Sequence, residues 1–174
     1  RGIVHLEQGR FDAAGAHLEQ ALRINPLSPD AYLGRATLRL RTGRLEEAHS
    51  DLDVALAHDP RYGEAFHKRC IVKISLRRAA EAIHDCEAAQ QLVPANHELW
   101  INSGVVYRAL GRRQDAEKSY QRAFQLAPDD PSAHYNYGVL LLDSGRRDEA
   151  VLRHITLGCK GGIPAACSLL PRRP

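Results

Sequence analysis

Small apolar residues recur along the chain at a fixed step. Alanine stands at Ala14, Ala48, Ala82, Ala116 and Ala150, each 34 residues after the last, and a second series runs Ala21, Ala55, Ala89 and Ala123. The two series lie seven residues apart, about two helical turns, so both alanines share one helix face and let a neighbouring helix approach closely. Ahead of that helix stands a glycine, at Gly9, Gly43, Gly111 and Gly145, with Arg77 breaking the series. Behind it stands a proline, at Pro26, Pro60, Pro94 and Pro128. The pattern predicts a helical hairpin repeated every 34 residues. Glycine supplies the left-handed turn between the two helices. Acidic pairs such as Glu46-Glu47 and Asp148-Glu149 fill the first turn of the second helix, where the macrodipole favours them. Proline ends that helix and aims the chain into the next hairpin. A left-handed Arg77 would cost about 1 kcal/mol, unless the turn there is looser.

Composition narrows the class. Helix formers dominate and aromatic residues are few, as in an all-α protein. The longest apolar runs, such as 138–142, are too short to span a bilayer. The net charge of +3 is spread along the chain. Its basic pairs, Arg77-Arg78, Arg112-Arg113, Arg146-Arg147 and Arg172-Arg173, read as solvated turn residues. Phosphate or an acidic partner is the alternative, and nucleic-acid binding would show steep salt dependence; no nucleic-acid partner is expected. The chain has no glycine-rich phosphate loop, nucleophile elbow or His-Glu-x-x-His motif, so neither catalysis nor a cofactor is expected. His67 with Cys70, and His84 with Cys86, lie close in sequence but do not converge as a tetrahedral metal site requires. Most of the nine histidines are expected at the surface.

The residues now carry a resemblance. The segment Gly43-Arg44-Leu45-Glu46-Glu47-Ala48 with Ala55 and Pro60 resembles the second half of a tetratricopeptide repeat. Trp100, Gly104, Tyr107, Ala116, Tyr120, Ala123 and Pro128 match the signature positions of that family, with Ser103 the departure. The resemblance implies an all-α, right-handed superhelix, a solenoid of about five hairpins. It frames residues 1–28 as a partial repeat, then 29–62, 63–96 and 97–130 as full ones. Residues 131–164 form a degenerate repeat, with His154, Leu157 and Gly162 off pattern, and the solenoid spans 1–164. Residues 165–174 are a cap and tail, with a short helix from Pro164 to Leu170. Arg1 falls inside a first helix, so the natural chain is expected to start upstream, with any signal or lipidated cysteine there.

In this family the first helices line a concave surface that binds partners. The register places there Ile3 and Leu6, then Leu33, Thr37 and Leu40, then His67, Ile71 and Ile74. Ile101, Asn102, Val105 and Arg108 follow, then Tyr135, Asn136, Val139 and Leu142. An apolar trough of this kind suits an amphipathic helix or extended apolar segment; packing between first helices is the alternative. Asn102 and Asn136 stand one hairpin apart, and an amide both donates to and accepts from a peptide backbone. The family's clamp for acidic chaperone tails is not expected, because hydrocarbon occupies its cationic positions.

Four cysteines complete the reading. The resemblance implies that Cys70 and Cys86 face each other across one hairpin. The segment from Gly158 to Cys167 is similar to cysteine-paired Sel1-like repeats, in which such a pair as Cys159 and Cys167 bridges adjacent helices. Free cysteines packed as small core residues are the alternative. Two disulfides favour an oxidising compartment, a bacterial periplasm or outer membrane, over the cytoplasm. The function expected is a scaffold for a protein or peptide partner within a larger assembly. Narrower alternatives are an envelope lipoprotein assisting type IV pilus secretin assembly and a regulatory domain of a larger enzyme.

Overall fold

The structure, a computed structural model, describes residues 2–171, with side chains from residue 10 onward. Ile3, Leu6 and Arg172-Arg173 therefore lie outside the described side chains. Ten helices occur among the described residues: α1 Gly2–Ile24, α2 Pro29–Arg41, α3 Leu45–His58, α4 Gly63–Ser75, α5 Ala79–Leu92, α6 His97–Ala109, α7 Arg113–Leu126, α8 Pro131–Asp143, α9 Glu149–Lys160 and α10 Pro164–Ser168. They fall into two compact units, one ending at Leu92 and the other starting at Val93. In the first, α2 pairs with α3 and α4 with α5, while α1 packs on α2 and α3 on α4. In the second, α6 pairs with α7 and α8 with α9, α7 packs on α8, and α10 closes against α9.

Local chemistry sets where the helices start and stop. The side chains of Ser28, Asn96 and Asp130 accept the backbone N–H of Ala31, Leu99 and Ala133, satisfying donors that a helix start leaves open. Asp148 caps α9 on Val151 in the same way. Between the helices of a hairpin, Gly43, Gly111 and Gly145 take φ of 77°, 72° and 80°. Arg77 holds φ of 59° at the equivalent place. Its turn closes with the same bond as the glycine turns, the Arg78 N–H donating to the Lys73 carbonyl at 2.8 Å. The turn is not looser; the arginine carries left-handed strain of about 1 kcal/mol. Gly9 marks no turn at all, because α1 runs unbroken from Gly2 to Ile24. A single glycine among good helix formers costs a helix only about 1 kcal/mol, so the helix can continue through it.

One pair of positions decides how closely the helices of each hairpin approach. It holds Ala36 with Leu52, Cys70 with Cys86, Gly104 with Tyr120 and Gly138 with His154. A small residue on the first helix admits a large one on the second. The fit is tight: a Cβ on Gly104 would lie 2.5 Å from Cε1 of the fully buried Tyr120. Where both residues are cysteine, the contact is covalent, and a disulfide joins α4 to α5. A second disulfide, Cys159–Cys167, joins α9 to α10. There Ala166 of α10 packs with Val151, Ile155 and Leu141.

The first unit also buries two carboxylates. Asp51 is 3 % exposed and Asp85 2 %, and each is gripped by two cations from the facing first helix. Arg35 reaches Asp51 through two bonds, at 3.0 and 2.7 Å, with Arg39 beside it. Arg69 holds Asp85 at 2.9 and 2.7 Å, and Lys73 adds a contact at 2.8 Å. Arg69 also spans to Asp53 of α3 at 2.7 Å, tying successive hairpins together.

Candidate functional site: the faces of the first helices

The residues expected to line a groove lie on α2 and α4 in the first unit and on α6 and α8 in the second. Three of them are not at the surface. Leu33 and Ile101 are 7 % and 5 % exposed, and His67 is 1 % exposed. The cause is packing between consecutive first helices, α2 with α4 and α6 with α8, which covers the side of a helix turned to its neighbour. Leu33 belongs to a cluster with Ala36, Leu52, Leu56 and Val72. Desolvation, aided by the charge of Lys68, lowers the His67 pKa to about 4, so this imidazole is neutral at physiological pH. Leu40 packs partly against the Leu33 cluster, and Tyr135 and Leu142 against that of Leu141 and Ile155.

A half-exposed set remains on each unit. In the first it is Thr37 on α2 with Ile71 and Ile74 on α4. In the second it is Asn102, Val105 and Arg108 on α6 with Asn136 and Val139 on α8. Each face is thus narrower than the sequence pattern suggests, and the second is more polar. Its polar groups have partners within the protein. Arg108 crosses to Asp143 of α8 at 2.8 Å, and Asn136 donates one amide N–H to the Ser132 carbonyl at 2.8 Å.

Two features escaped the sequence reading. The Asp51 and Asp85 clamps are one. Their signal was present, since Arg35 and Arg69, Arg39 and Lys73, and Asp51 and Asp85 all keep the 34-residue step. The other is a histidine pair in the second unit, contrary to the expectation that most histidines are exposed. His134 on α8 and His154 on α9 face each other with 2.8 Å between their Nδ1 atoms. The rings of Phe124 and Tyr137 pack around them. Burial lowers both pKa values, that of His154 to about 4, with the neighbouring His134 and Arg153 adding to the effect. The arginine pairs of the turns find local partners: Arg78 with Glu46, Arg112 with Asp115 and Arg146 with Asp148. Among the described residues, no group of three His, Cys, Asp or Glu side chains is placed to hold a metal ion. No helix there is long and apolar enough to cross a membrane.

Short-looped hairpins built on small residues at a fixed register define an all-α helical-repeat protein. Residues 5–68 match one family model of the tetratricopeptide repeat, and residues 72–131 and 101–155 match another. The chain belongs to the tetratricopeptide repeat family. A Sel1-like relationship of its C-terminal segment is not shown. No curated protein matches the chain. Among solved structures, it is similar to TTC0263, a thermophilic tetratricopeptide protein of Thermus thermophilus, at 25% identity and a TM-score of 0.74, covering 97% of this chain and 96% of that one. It is similar to PilF of Pseudomonas aeruginosa at 24% identity and a TM-score of 0.78, covering 92% and 73%. YrrB, a tetratricopeptide protein with an unusual peptide-binding site, matches at 19% identity and a TM-score of 0.73, covering 95% and 86%.

Proposed function

We propose that the chain is a scaffold that binds a peptide or helix of a protein partner on the exposed faces of its first helices. The observation that carries this is the set of half-exposed aliphatic residues Ile71, Ile74, Val105 and Val139 on those faces. Nothing in the hairpins requires them there, and each offers apolar area to a ligand. The reading uses the frame of repeats at 29–62, 63–96, 97–130 and 131–164, with 165–174 as cap. The peptide-binding site in the name of YrrB agrees with it. The experiment is Ile71→Asp combined with Val105→Asp. Capture of the partner from an extract of the native host is expected to be lost while helicity by circular dichroism stays unchanged. Capture at the original level overturns the assignment.

A narrower reading is an exported protein of the bacterial envelope, lipid-anchored upstream and assisting a type IV pilus secretin. The two disulfides support export; the likeness to PilF supports only the fold. Fractionation of the native host tests it: recovery with the outer membrane supports the reading, and recovery with reduced thiols in the cytoplasm removes it.

A further inference from the structure

The end of the second unit carries a covalent bond that solvent can reach. Cys70 and Cys86 are fully buried, whereas Cys159 is half-buried and Cys167 exposed. The bond between the latter two ties α9 to α10, a helix of five residues. A helix that short does not hold itself together in water. Its other anchors are few. Ala166 is buried among Leu141, Val151 and Ile155, and Ile163 and Leu170 pack at the edge of that cluster. Cys167, Ser168 and Leu169 face solvent.

The surface beneath α10 is seated independently of it. A Cβ on Gly158 would lie 3.0 Å from Cβ of Tyr135, and one on Gly161 would lie 2.2 Å from Cβ of Pro131. The end of α9 thus rests directly on α8. The chain then turns at Gly162, with φ of 87°, into Ile163 and Pro164. Swinging α10 about this turn leaves α9 in place and uncovers the side of α9 that Ala166 covers. A cavity of about 250 Å³ already opens beside the cap. Leu142 of α8 and Val151, Leu152 and Ile155 of α9 line it together with residues 147–149, and Leu169 and Pro171 form the wall on the cap's side. The cap is therefore one wall of a largely apolar recess whose remaining lining belongs to α8, α9 and the turn between them.

We propose that Cys159–Cys167 is an exchange site for a dithiol reductant, and that α10 is a lid which this exchange opens over the apolar end of α8 and α9. A thiolate of the dithiol attacks Sγ of the exposed Cys167. A mixed disulfide forms, and the Cys159 sulfur leaves as a thiolate that takes up a proton. The second thiol of the reductant, as its thiolate, then attacks the reductant's own sulfur in the mixed bond, and Cys167 leaves and is protonated in turn. Two electrons and two protons pass from the dithiol, which ends as a disulfide, to the two cysteines. The proposal stands apart from the scaffold reading, because it assigns no partner to the uncovered surface.

The test uses the whole chain, with dithiothreitol as the dithiol. Mass spectrometry counts the thiols, amide hydrogen exchange follows the backbone, and an apolar dye reports uncovered surface. Low concentrations of reductant are expected to release two thiols, at Cys159 and Cys167, with Cys70–Cys86 intact. Exchange across 163–171 is expected to quicken about tenfold while α8, α9 and the first unit keep their protection. Dye fluorescence is expected to rise, and re-oxidation to reverse all three changes. Cys159→Ser with Cys167→Ser is expected to show the fast exchange without reductant and no further change with it. Release of four thiols together, or of none short of unfolding, would overturn the exchange site. Two thiols with unchanged exchange across 163–171, or a double serine variant that behaves as the oxidised chain, would overturn the lid. Fast exchange spreading through α8 and α9 would overturn it as well, because the bond would then be a staple of the whole hairpin.

Discussion

The histidine pair of α8 and α9 makes the second unit sensitive to acid. Only one hydrogen fits between two Nδ1 atoms 2.8 Å apart, so the pair tolerates neutrality and resists full protonation. An unfolded imidazole takes up its proton near pH 6.5, whereas burial delays His154 to about pH 4. The unfolded state therefore binds more protons between those values. The stabilisation is complete above about pH 6.5 and is lost as pH falls towards 4. Thermal unfolding followed through Trp100, the single tryptophan, is expected to shift to lower temperature over that range. His154→Phe, placed against Phe124 and Tyr137, is expected to flatten the dependence; an unchanged slope would contradict the role given to the pair. The buried aspartates make a second prediction at this scale. Asp51→Ala leaves Arg35 without its carboxylate and Arg39 with only the exposed Glu47 at 3.4 Å, and is expected to cost about 3 kcal/mol in denaturant unfolding. Arg44→Ala removes a bond to the exposed Glu47, where water screens the pair, and is expected to cost far less. Equal costs would show that burial of the carboxylate is not what matters.

At the scale of the helix, the two disulfides differ in access. Cys70 and Cys86 are both fully buried, whereas Cys159 is half-buried and Cys167 exposed. Thiol–disulfide exchange requires a thiolate to reach a sulfur atom, so mild reductant is expected to open the second bond first. Thiol counting should give two reactive groups in the folded protein and four only after unfolding; four at once in the folded state would contradict the burial of the α4–α5 bond. Loss of the 159–167 closure is expected to release α10 at a cost of about 2–3 kcal/mol. The sequence carried much of this scale. The alanine, glycine and proline steps located α2 to α9, and Pro164 marked the start of α10. Gly9 misled because a glycine permits a left-handed turn without imposing one. Arg77 was legible as an exception, but its backbone angle was not, since that depends on whether the surrounding hairpin holds the turn closed.

At the scale of the whole molecule, the register alone separated first helices from second helices, and with them the candidate surface. It did not separate residues exposed on a first helix from residues covered by the next first helix. Leu33, His67 and Ile101 share one register position and all are buried, Leu33 and Ile101 for that reason, whereas Ile71 and Val105, four residues further on from His67 and Ile101, stay half-exposed. Hydrophobic patterning does not distinguish these cases, because both positions are apolar and lie a single turn apart. The central claim is that partners are held by the exposed remainder of these faces. The most direct measurement is hydroxyl-radical footprinting of the whole chain with and without a peptide selected against it from a display library. The account predicts protection of Ile71, Ile74, Val105 or Val139 on bound chain. Protection confined to α3, α5, α7 and α9, with those four residues labelled as in the free chain, would contradict it.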